Sequence, residues 1–178
     1  MNIYGKILKR MGWSLNIAIP IPPKCVIAVA PHTSNWDFIL GELAIRSVNQ
    51  TAGFLMKETW FFFPLGAFFR ALGGIPVPRK RGSDLTAAIV RKFHENERIA
   101  LAVTPEGTRS PVENWRKGFL FIARDANVPL LLAAFDYEKK TITLDTEYHL
   151  SGDIDNDLAN IKKYFSTVKG KYPEKFRF

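Results

Sequence analysis

Residues 25–37 read Cys-Val-Ile-Ala-Val-Ala-Pro-His-Thr-Ser-Asn-Trp-Asp, and this stretch decides the fold class. Its first six residues are apolar and partly β-branched, which predicts a buried strand. The apolar pattern that begins at Trp36 and continues to Val48 predicts a helix. A short polar turn that contains His32 joins the two elements. The succession of buried strand, turn and helix is typical of an α/β sheet.

The rest of the chain repeats this alternation of strands and helices. Further strands are predicted over residues 51–56, 74–78, 99–104 and 128–135, and helices over residues 64–72, 84–96, 118–126 and 153–168. An additional strand over residues 141–146 is expected on the edge side of the sheet. We therefore predict one α/β domain over residues 1–178, with a mixed, largely parallel sheet flanked by helices.

The composition agrees with one globular domain and points to an anionic partner. The chain has 178 residues, of which 47% are hydrophobic and 24% charged. Its 25 Lys and Arg against 17 Asp and Glu give a formal charge of +8, which suits nucleic acid, an anionic lipid surface or phosphate-bearing substrates. The single cysteine, Cys25, excludes an intramolecular disulfide and a cysteine metal cluster. No apolar run approaches the ~20 residues that cross a bilayer.

The amino-terminal segment, residues 1–19, has the pattern of a basic amphipathic helix. Apolar side chains recur at helical spacing, and the basic ones fall elsewhere on the helical wheel. The apolar positions are Ile3, Tyr4, Ile7, Leu8, Met11 and Leu15, and the basic ones are Lys6, Lys9 and Arg10. Such a helix lies either on a membrane surface or against the domain with a solvated basic face, and the pattern fits both.

His32 and Asp37 are the candidate catalytic pair. On one regular helix they would be separated by about 140°, so they can meet only if His32 precedes the helix and Asp37 lies in its first turn. Thr33, Ser34 and Asn35 are candidates for the N-cap. A carboxylate that accepts the Nδ1 proton leaves Nε2 to take a proton from a substrate hydroxyl. The alternative is a turn histidine bonded to backbone, beside a carboxylate favoured by the helix dipole.

A second polar turn, Thr-Pro-Glu-Gly-Thr-Arg-Ser at residues 104–110, follows another predicted strand. Open α/β sheets bind their ligands at the carboxyl ends of strands. Arg109 can hold a phosphate bidentately, and Gly107 lets backbone approach an anion closely. Thr108 offers a hydroxyl, and Glu106 is expected to anchor the arginine or to bond a glycerol hydroxyl. The alternative is an ordinary turn with a surface ion pair, which contributes little stability.

Together the two turns resemble the glycerolipid acyltransferase superfamily, best known from the lysophosphatidate acyltransferases. His32 and Asp37 match the family's HX4D motif, a histidine and an aspartate separated by four residues, and residues 106–109 match its glutamate-glycine-threonine-arginine motif. Residues 73–79 are similar to its glycine-to-arginine block, and Lys57 falls where many members carry a lysine. The order and separations of these motifs agree over residues 25–135.

The resemblance implies an O-acyltransferase of phospholipid biosynthesis with a glycerol-phosphate acyltransferase-like fold. In such an enzyme His32 would be the general base that moves a fatty acyl chain from acyl-CoA or acyl carrier protein to the free hydroxyl of a lysophosphatidate-like acceptor. The implied substrate-binding residues are Lys57, Arg79, Glu106, Gly107, Thr108 and Arg109. From the amino-terminal helix, the aromatic residues 61–69 and the positive charge we also expect peripheral contact with an anionic membrane, at its cytoplasmic face. We expect no cofactor besides the acyl donor.

An aromatic-rich run at residues 60–69 has two interpretations. Aromatic side chains dominate protein cores, so core packing is one of them. The other is a lipid-facing surface, which the basic residues Arg79, Lys80 and Arg81 would complement by meeting anionic headgroups.

The sequence leaves the acceptor and the choice between an enzyme and a binding module open, and it disfavours a metal site and a nucleic-acid partner. The acceptor is either lysophosphatidate-like or another lysolipid or amphipathic molecule, and a non-catalytic module that binds anionic lipid is the alternative to an enzyme. We expect no metal, because no metal-binding spacing such as His-Glu-x-x-His occurs. The basic tail over residues 169–178 fits nucleic acid, but no motif that reads nucleic acid accompanies it, so we expect no such partner.

Overall fold

The structure is a computed structural model that describes residues 1–77 and 83–178. The described residues form a seven-stranded sheet in the order β1-β7-β6-β2-β5-β3-β4. Its strands are β1 (Ser14–Ile17), β2 (Lys24–Ala30), β3 (Gly53–Lys57), β4 (Gly74–Val77), β5 (Ile99–Val103), β6 (Leu130–Asp136) and β7 (Thr141–Tyr148).

The strands from β6 to β4 in this order are parallel, whereas β7 is antiparallel to β6. The predicted α/β class with a mixed, largely parallel sheet is therefore confirmed. The strand predicted over residues 141–146 does not lie at the edge, because β1 pairs parallel with it and takes the edge position.

Helices cover both faces of the sheet. They are α1 (Ile3–Arg10), α2 (Trp36–Ser47), α3 (Leu65–Ala71), α4 (Ser83–Glu95), α5 (Gly118–Ala126) and α6 (Ile154–Phe165), and short 3-10 turns lie at Glu58–Trp60 and Pro173–Lys175. Side chains of α4, α5 and α6 form the apolar core on one face, and those of α1 and α2 form the core on the other.

The central strand β2 contributes to both cores. Val26, Ala28 and Ala30 point into the first core, and Cys25 and Ile27 point into the second. All five side chains are buried, which explains why the strand has an uninterrupted apolar sequence instead of an alternating one. The thiol of Cys25 packs as a small apolar group, and burial raises its pKa to about 12.

The amino-terminal helix is shorter than the predicted segment of residues 1–19. It ends at Arg10, because Gly12 adopts a left-handed conformation with φ of 79° that glycine tolerates and other residues rarely do. The chain then continues as β1. Leu8 is buried against α2, while Ile3 and Ile7 are exposed, so α1 packs on the domain and still presents apolar and basic side chains outward.

No helix within residues 1–77 and 83–178 is long and apolar enough to cross a bilayer. The parallel strands β2, β5, β3 and β6 all end at the same edge of the sheet, which we call the carboxyl edge. The turn after β2, residues 31–37, is the histidine loop, and the turn after β5, residues 104–110, is the glutamate loop. Because β2 and β5 are neighbours, the two loops lie side by side at this edge.

Candidate active site

The histidine loop brings the side chains of His32 and Asp37 together. His32 precedes α2, and Asp37 lies in the first turn of that helix. Nδ1 of the imidazole is 3.2 Å from Oδ2 of the carboxylate, and the side chains are 18% and 2% exposed. The Nδ1 atom is itself buried, and its direction is imperfectly aligned with the oxygen for a hydrogen bond. The spacing required the histidine to precede the helix and the aspartate to lie inside it, and the structure has this arrangement.

The Asp37 carboxylate also holds the backbone of the turn. Its Oδ2 accepts the N–H groups of Thr33 and Ser34, each at 2.8 Å. Ser34 in turn accepts the N–H of Trp36 at 3.1 Å through its hydroxyl, so it supplies the cap at the start of α2. The side chain of Asn35, which stands at the N-cap position, makes no capping bond. One carboxylate therefore closes the turn and faces the imidazole at the same time.

The charge state of Asp37 follows from these contacts. Burial works to raise the pKa of the carboxyl, but the contact with His32, the Tyr137 hydroxyl and the Ser34 amide outweigh burial and lower the pKa below its ordinary value. Asp37 is therefore a carboxylate at neutral pH, next to the ring that it orients.

Glu106 connects the glutamate loop to the histidine loop. Its Oε1 accepts the backbone N–H of His32 at 2.7 Å. The residue is 5% exposed, and Oε2 is buried without a hydrogen-bond partner among the described residues. Burial raises the pKa of this carboxyl to about 7, even though the His32 amide bond opposes the rise. The sequence predicts that Glu106 anchors Arg109 or bonds a glycerol hydroxyl; in the structure its Oε1 fixes the backbone of His32 and Arg109 contacts Asn35, while the bond to a glycerol hydroxyl stays a prediction.

Arg109 reaches the histidine loop through a different residue. Its side chain is exposed, and Nη1 donates a hydrogen bond to Oδ1 of Asn35. Gly107 has a positive φ of 64°, and the Cβ of any other residue there would lie 3.1 Å from the Arg116 side chain. Thr108 accepts the N–H of Ser110 at 3.2 Å. This part of the loop is an exposed turn with one cation beside the start of α2.

Lys57 is the remaining sequence-predicted residue that the structure describes, and it lies apart from the pair. Lys57 is exposed at the end of β3, hence at the carboxyl edge, two strands from β2. No hydrogen bond or ion pair joins Lys57 to His32 or Arg109 in the part of the chain that the structure describes. The predicted phosphate ligand Arg79, with Lys80 and Arg81, lies outside the described residues.

The structure adds one side chain that the sequence analysis missed. The hydroxyl of Tyr137 donates to Oδ1 of Asp37 at 2.5 Å, across one hundred positions of the sequence. Tyr137 directly follows β6, so the rule that functional side chains follow parallel strands offered a signal for it. No spacing motif accompanies it, and that signal alone does not distinguish Tyr137 from its neighbours.

This arrangement is suited to taking a proton from a hydroxyl group. With Nδ1 facing a carboxylate, the basic lone pair of a neutral imidazole is at Nε2. The imidazolium that forms on proton uptake is stabilised by the charge of Asp37. No group of histidine, cysteine, aspartate and glutamate residues within residues 1–77 and 83–178 is arranged to hold a metal ion.

Comparison with known proteins identifies the family. The family model described as Acyltransferase matches residues 19–135, which include both loops. The crystal structure of the 1-acyl-sn-glycerophosphate (LPA) acyltransferase PlsC from Thermotoga maritima has a similar fold, with a TM-score of 0.62 and 20% sequence identity over 91% of this chain and 73% of that chain. No curated protein sequence matches significantly. Because the family model spans well over half of its length, the chain belongs to the acyltransferase family.

Proposed function

We propose that this acyltransferase moves a fatty acyl chain from a thioester donor, acyl-CoA or acyl carrier protein, to the free hydroxyl of a lysophosphatidate-like acceptor. The observation that carries the proposal is the contact between Nδ1 of His32 and the buried carboxylate of Asp37 at the carboxyl edge. The similarity of the fold to that of an LPA acyltransferase supports this class of acceptor.

In the proposed reaction His32 is the general base. Nε2 removes the proton of the acceptor hydroxyl as its oxygen attacks the thioester carbonyl. An ester bond forms between that oxygen and the acyl carbon, the carbon–sulfur bond breaks, and the imidazolium returns the proton to the departing thiolate. Asp37 holds the ring in orientation and stabilises its charged form. Donor and acceptor must be bound together, because no acyl-enzyme forms.

The acceptor phosphate is proposed to bind at the glutamate loop. Arg109 is exposed, and its contact with Asn35 places its guanidinium beside the first turn of α2. A guanidinium holds phosphate with two parallel hydrogen bonds, which fixes the position of the acceptor as well as binding it. Gly107 and Thr108 would contribute backbone and hydroxyl donors, and Lys57 and Arg79 further positive charge. Binding energy from the phosphate would thereby position the hydroxyl near His32.

The acyl-transfer proposal is tested with purified protein, labelled acyl-CoA or acyl carrier protein, and a panel of acceptors. We expect labelled product with lysophosphatidate and much less with lysolipids that carry larger headgroups. Transfer only to another lysolipid would mean that the acceptor in the proposal is wrong and that the proposed reaction type is right. Release of free fatty acid without an acceptor would indicate a thioesterase, and lipid binding without turnover would indicate a non-catalytic module.

The protein is further proposed to contact an anionic membrane at the carboxyl edge. Large apolar side chains stand exposed around α3, the strongest case being Phe63 at 92% exposure. The others there are Trp60, Phe62, Leu65 and Phe68. This run follows Lys57 at the end of β3, so its first residues lie at the same edge as His32 and Asp37, and α3 then leads back towards the start of β4. Core packing, one interpretation of this run, is wrong for these five side chains.

A cation beside the aromatic run and apolar side chains beside the histidine loop support the membrane proposal. Arg70 is exposed in the last turn of α3, ahead of the start of β4, with its guanidinium 5.2 Å from the centre of the Phe61 ring. Trp36 and Ile39 are exposed on α2 next to the histidine loop. Aromatic side chains favour the interface between headgroups and acyl chains, and cations near it gain ~1 kcal/mol each from anionic lipid. A lipid acceptor would then reach His32 from the bilayer without crossing water.

Flotation with liposomes tests the membrane contact. We expect Phe63→Ser and Phe68→Ser to weaken binding to anionic vesicles roughly tenfold each, because each removes a large apolar side chain from the interface. Ile3→Ser and Ile7→Ser test the exposed side of α1 in the same way. Equal recovery with neutral and anionic vesicles at every salt concentration would remove the electrostatic part of the proposal.

A further inference from the structure

The Asp37 carboxylate has two oxygens with different surroundings. Oδ2 faces the imidazole and the two turn amides. Oδ1 instead receives the hydroxyl of Tyr137 at 2.5 Å and that of Ser34 at 3.2 Å. The torsion that rotates a carboxylate about its terminal bond is soft, so an oxygen without a partner leaves the group free to turn. The donors on Oδ1, together with the two amides on Oδ2, therefore determine the rotation of the carboxylate.

Tyr137 is held in place by parts of the chain outside the segment that matches the family model. Its ring packs edge to face on Trp13, with ring centres 4.8 Å apart. Its backbone N–H donates to the carbonyl of Lys169 at 2.8 Å. Burial and the nearby Asp37 carboxylate raise the pKa of Tyr137, so the hydroxyl keeps its proton and acts as the donor. The phenol is a fixed donor and not a solvent-exposed side chain that meets Asp37 by chance.

The segment that holds Tyr137 also contacts the histidine loop. A Cβ at Gly170 would lie 3.0 Å from both Pro31 and Thr33, so a larger residue would press on the turn there. Two residues further on, the N–H of Tyr172 donates to the hydroxyl of Thr33 at 3.2 Å. The carboxyl-terminal segment over residues 169–172 thus supports the tyrosine and the turn together.

We propose that Tyr137 is a positioning residue for the catalytic pair: it fixes the rotation of the Asp37 carboxylate and shares its charge, so that Oδ2 faces His32. This inference rests on the proposed role of His32 as general base. The other titratable groups that face the pair are Glu106 from the glutamate loop and Tyr172 from the carboxyl-terminal segment. Since the pKa of Glu106 is about 7, titrations of the pair are best repeated in a Glu106→Gln background.

The test is Tyr137→Phe, which removes the hydroxyl and keeps the ring against Trp13. We expect kcat to fall about tenfold with the acceptor KM unchanged, because the hydroxyl of Tyr137 is bonded to Asp37 and is proposed to act through that carboxylate. Without the phenol the carboxylate keeps more of its charge and holds a proton on the imidazole more strongly. The acidic limb of the pH–rate profile should therefore move to higher pH.

Tyr148→Phe is the matched control. Tyr148 is also half-buried, and its hydroxyl donates to the buried carboxylate of Asp157 at 3.0 Å, away from the histidine loop. Both variants lose one hydrogen bond from a tyrosine to an aspartate, so both should lose similar stability. Only Tyr137→Phe should change kcat or the pH profile. A merely structural role for Tyr137 would make the two variants alike.

An NMR titration of the His32 ring separates this inference from the proposed function, because it needs no turnover. The chain has three histidines, so His32→Ala assigns the signal. We expect the titration midpoint to be higher in Tyr137→Phe than in the wild type and unchanged in Tyr148→Phe. If His32→Ala kept its activity while the midpoint moved, the proposed base would be wrong and the coupling would stand. An unmoved midpoint together with a wild-type kcat in Tyr137→Phe would overturn the inference.

Discussion

The histidine loop and the glutamate loop follow neighbouring parallel strands, yet one is closed and the other open. Thr33, Ser34 and Asp37 are buried, and the carboxylate of Asp37 accepts backbone N–H groups of its own turn. The glutamate loop is buried only as far as Glu106, and its residues from 107 to 110 are exposed. The same position in the fold therefore supports two kinds of local structure.

The difference matches what each loop is proposed to do. Proton transfer requires a base held to within a fraction of an ångström, which a closed and hydrogen-bonded turn supplies. A headgroup that arrives from a membrane needs a cation that solvent can reach, and Arg109 is exposed. Glu106 joins the loops because its carboxylate holds the backbone of His32. Substitutions in the closed loop should therefore change rates, and those in the open loop should change binding.

His32→Ala is the strongest test of this division. Loss of a general base costs ~10²–10⁴ in rate, so we expect kcat to fall by that factor. The side chain is 18% exposed and fills no core, so the fold and acceptor binding should persist. The measurements are steady-state transfer, circular dichroism and acceptor binding. The control is His94→Ala, on the exposed surface of α4. A folded variant that retained the wild-type rate would leave His32 as a structural turn residue.

Asp37→Asn should be nearly as damaging to the rate, and it should also destabilise the turn. An amide favours the wrong tautomer of the imidazole and cannot stabilise the imidazolium by charge, so kcat should fall ~10²–10⁴-fold. The side-chain amide also accepts the backbone N–H groups of Thr33 and Ser34 without a full charge. This should lower the free energy of unfolding by roughly 1–3 kcal/mol. Thermal melting and transfer assays on one preparation measure both. A loss of stability with full activity would make Asp37 purely structural.

The next prediction concerns Glu106, which connects the two loops. The expected effect is a change in the free energy of unfolding with pH. In the unfolded chain this carboxyl ionises near 4.5, whereas burial raises its pKa in the folded protein to about 7. Below 4.5 the group is protonated in both states. As the pH rises from 4.5 to 7 the unfolded chain gives up the proton and the folded chain keeps it, so the free energy of unfolding decreases; above 7 the loss is complete.

Glu106→Gln removes this dependence because an amide does not titrate. We expect the stability of the variant relative to the wild type to rise by about 2 kcal/mol between pH 5 and pH 8. Urea unfolding at several pH values measures this difference in stability. A loss of stability that is the same at every pH would not affect how the difference changes with pH. Glu97→Gln, at an exposed position, should show little change. Parallel curves for Glu106→Gln and the wild type would mean that Glu106 ionises normally in the fold.

Much of the fold and the contact between His32 and Asp37 could be predicted because the signals are local. The buried strand over β2 is an uninterrupted apolar run, and the helix that follows begins at Trp36 as expected. That order of elements places His32 before the helix and Asp37 inside it, which is the one arrangement in which the two side chains can meet. The short strand β1 escaped prediction, because Leu15 continues the helical spacing of α1 and only the conformation of Gly12 ends that helix.

What the sequence did not predict depends on contacts between distant segments. Glu106 and Tyr137 reach the histidine loop from two other strands, and no spacing in the sequence records either contact. The aromatic run around α3 illustrates the same limit. Its composition fits a core and a lipid surface equally, and only the placement of α3 after β3 leaves Phe63 and Phe68 exposed.

The smallest expected effect is that of Arg109→Lys, and it tests the open loop. Lysine keeps the positive charge but loses the planar fork that binds phosphate with two hydrogen bonds. We expect the apparent KM for the acceptor to rise about tenfold, which corresponds to one hydrogen bond of ordinary strength, with kcat and the donor KM nearly unchanged. Stability should not change, because the guanidinium is exposed and its partner Asn35 makes no capping bond.

Arg124→Lys makes the same chemical change at the other end of the fold. Arg124 lies in the last turn of α5, ahead of the start of β6, and pairs with its neighbour Asp125 at 2.7 Å. Since β6 is parallel to β2, its start lies at the edge opposite His32 and Asp37, and the control should leave both Michaelis constants unchanged. A rise in the donor KM alone with Arg109→Lys would assign this arginine to the donor. A fall in kcat at unchanged KM would mean that the exposed loop takes part in the chemical step, and the division between a closed catalytic loop and an open binding loop would then fail.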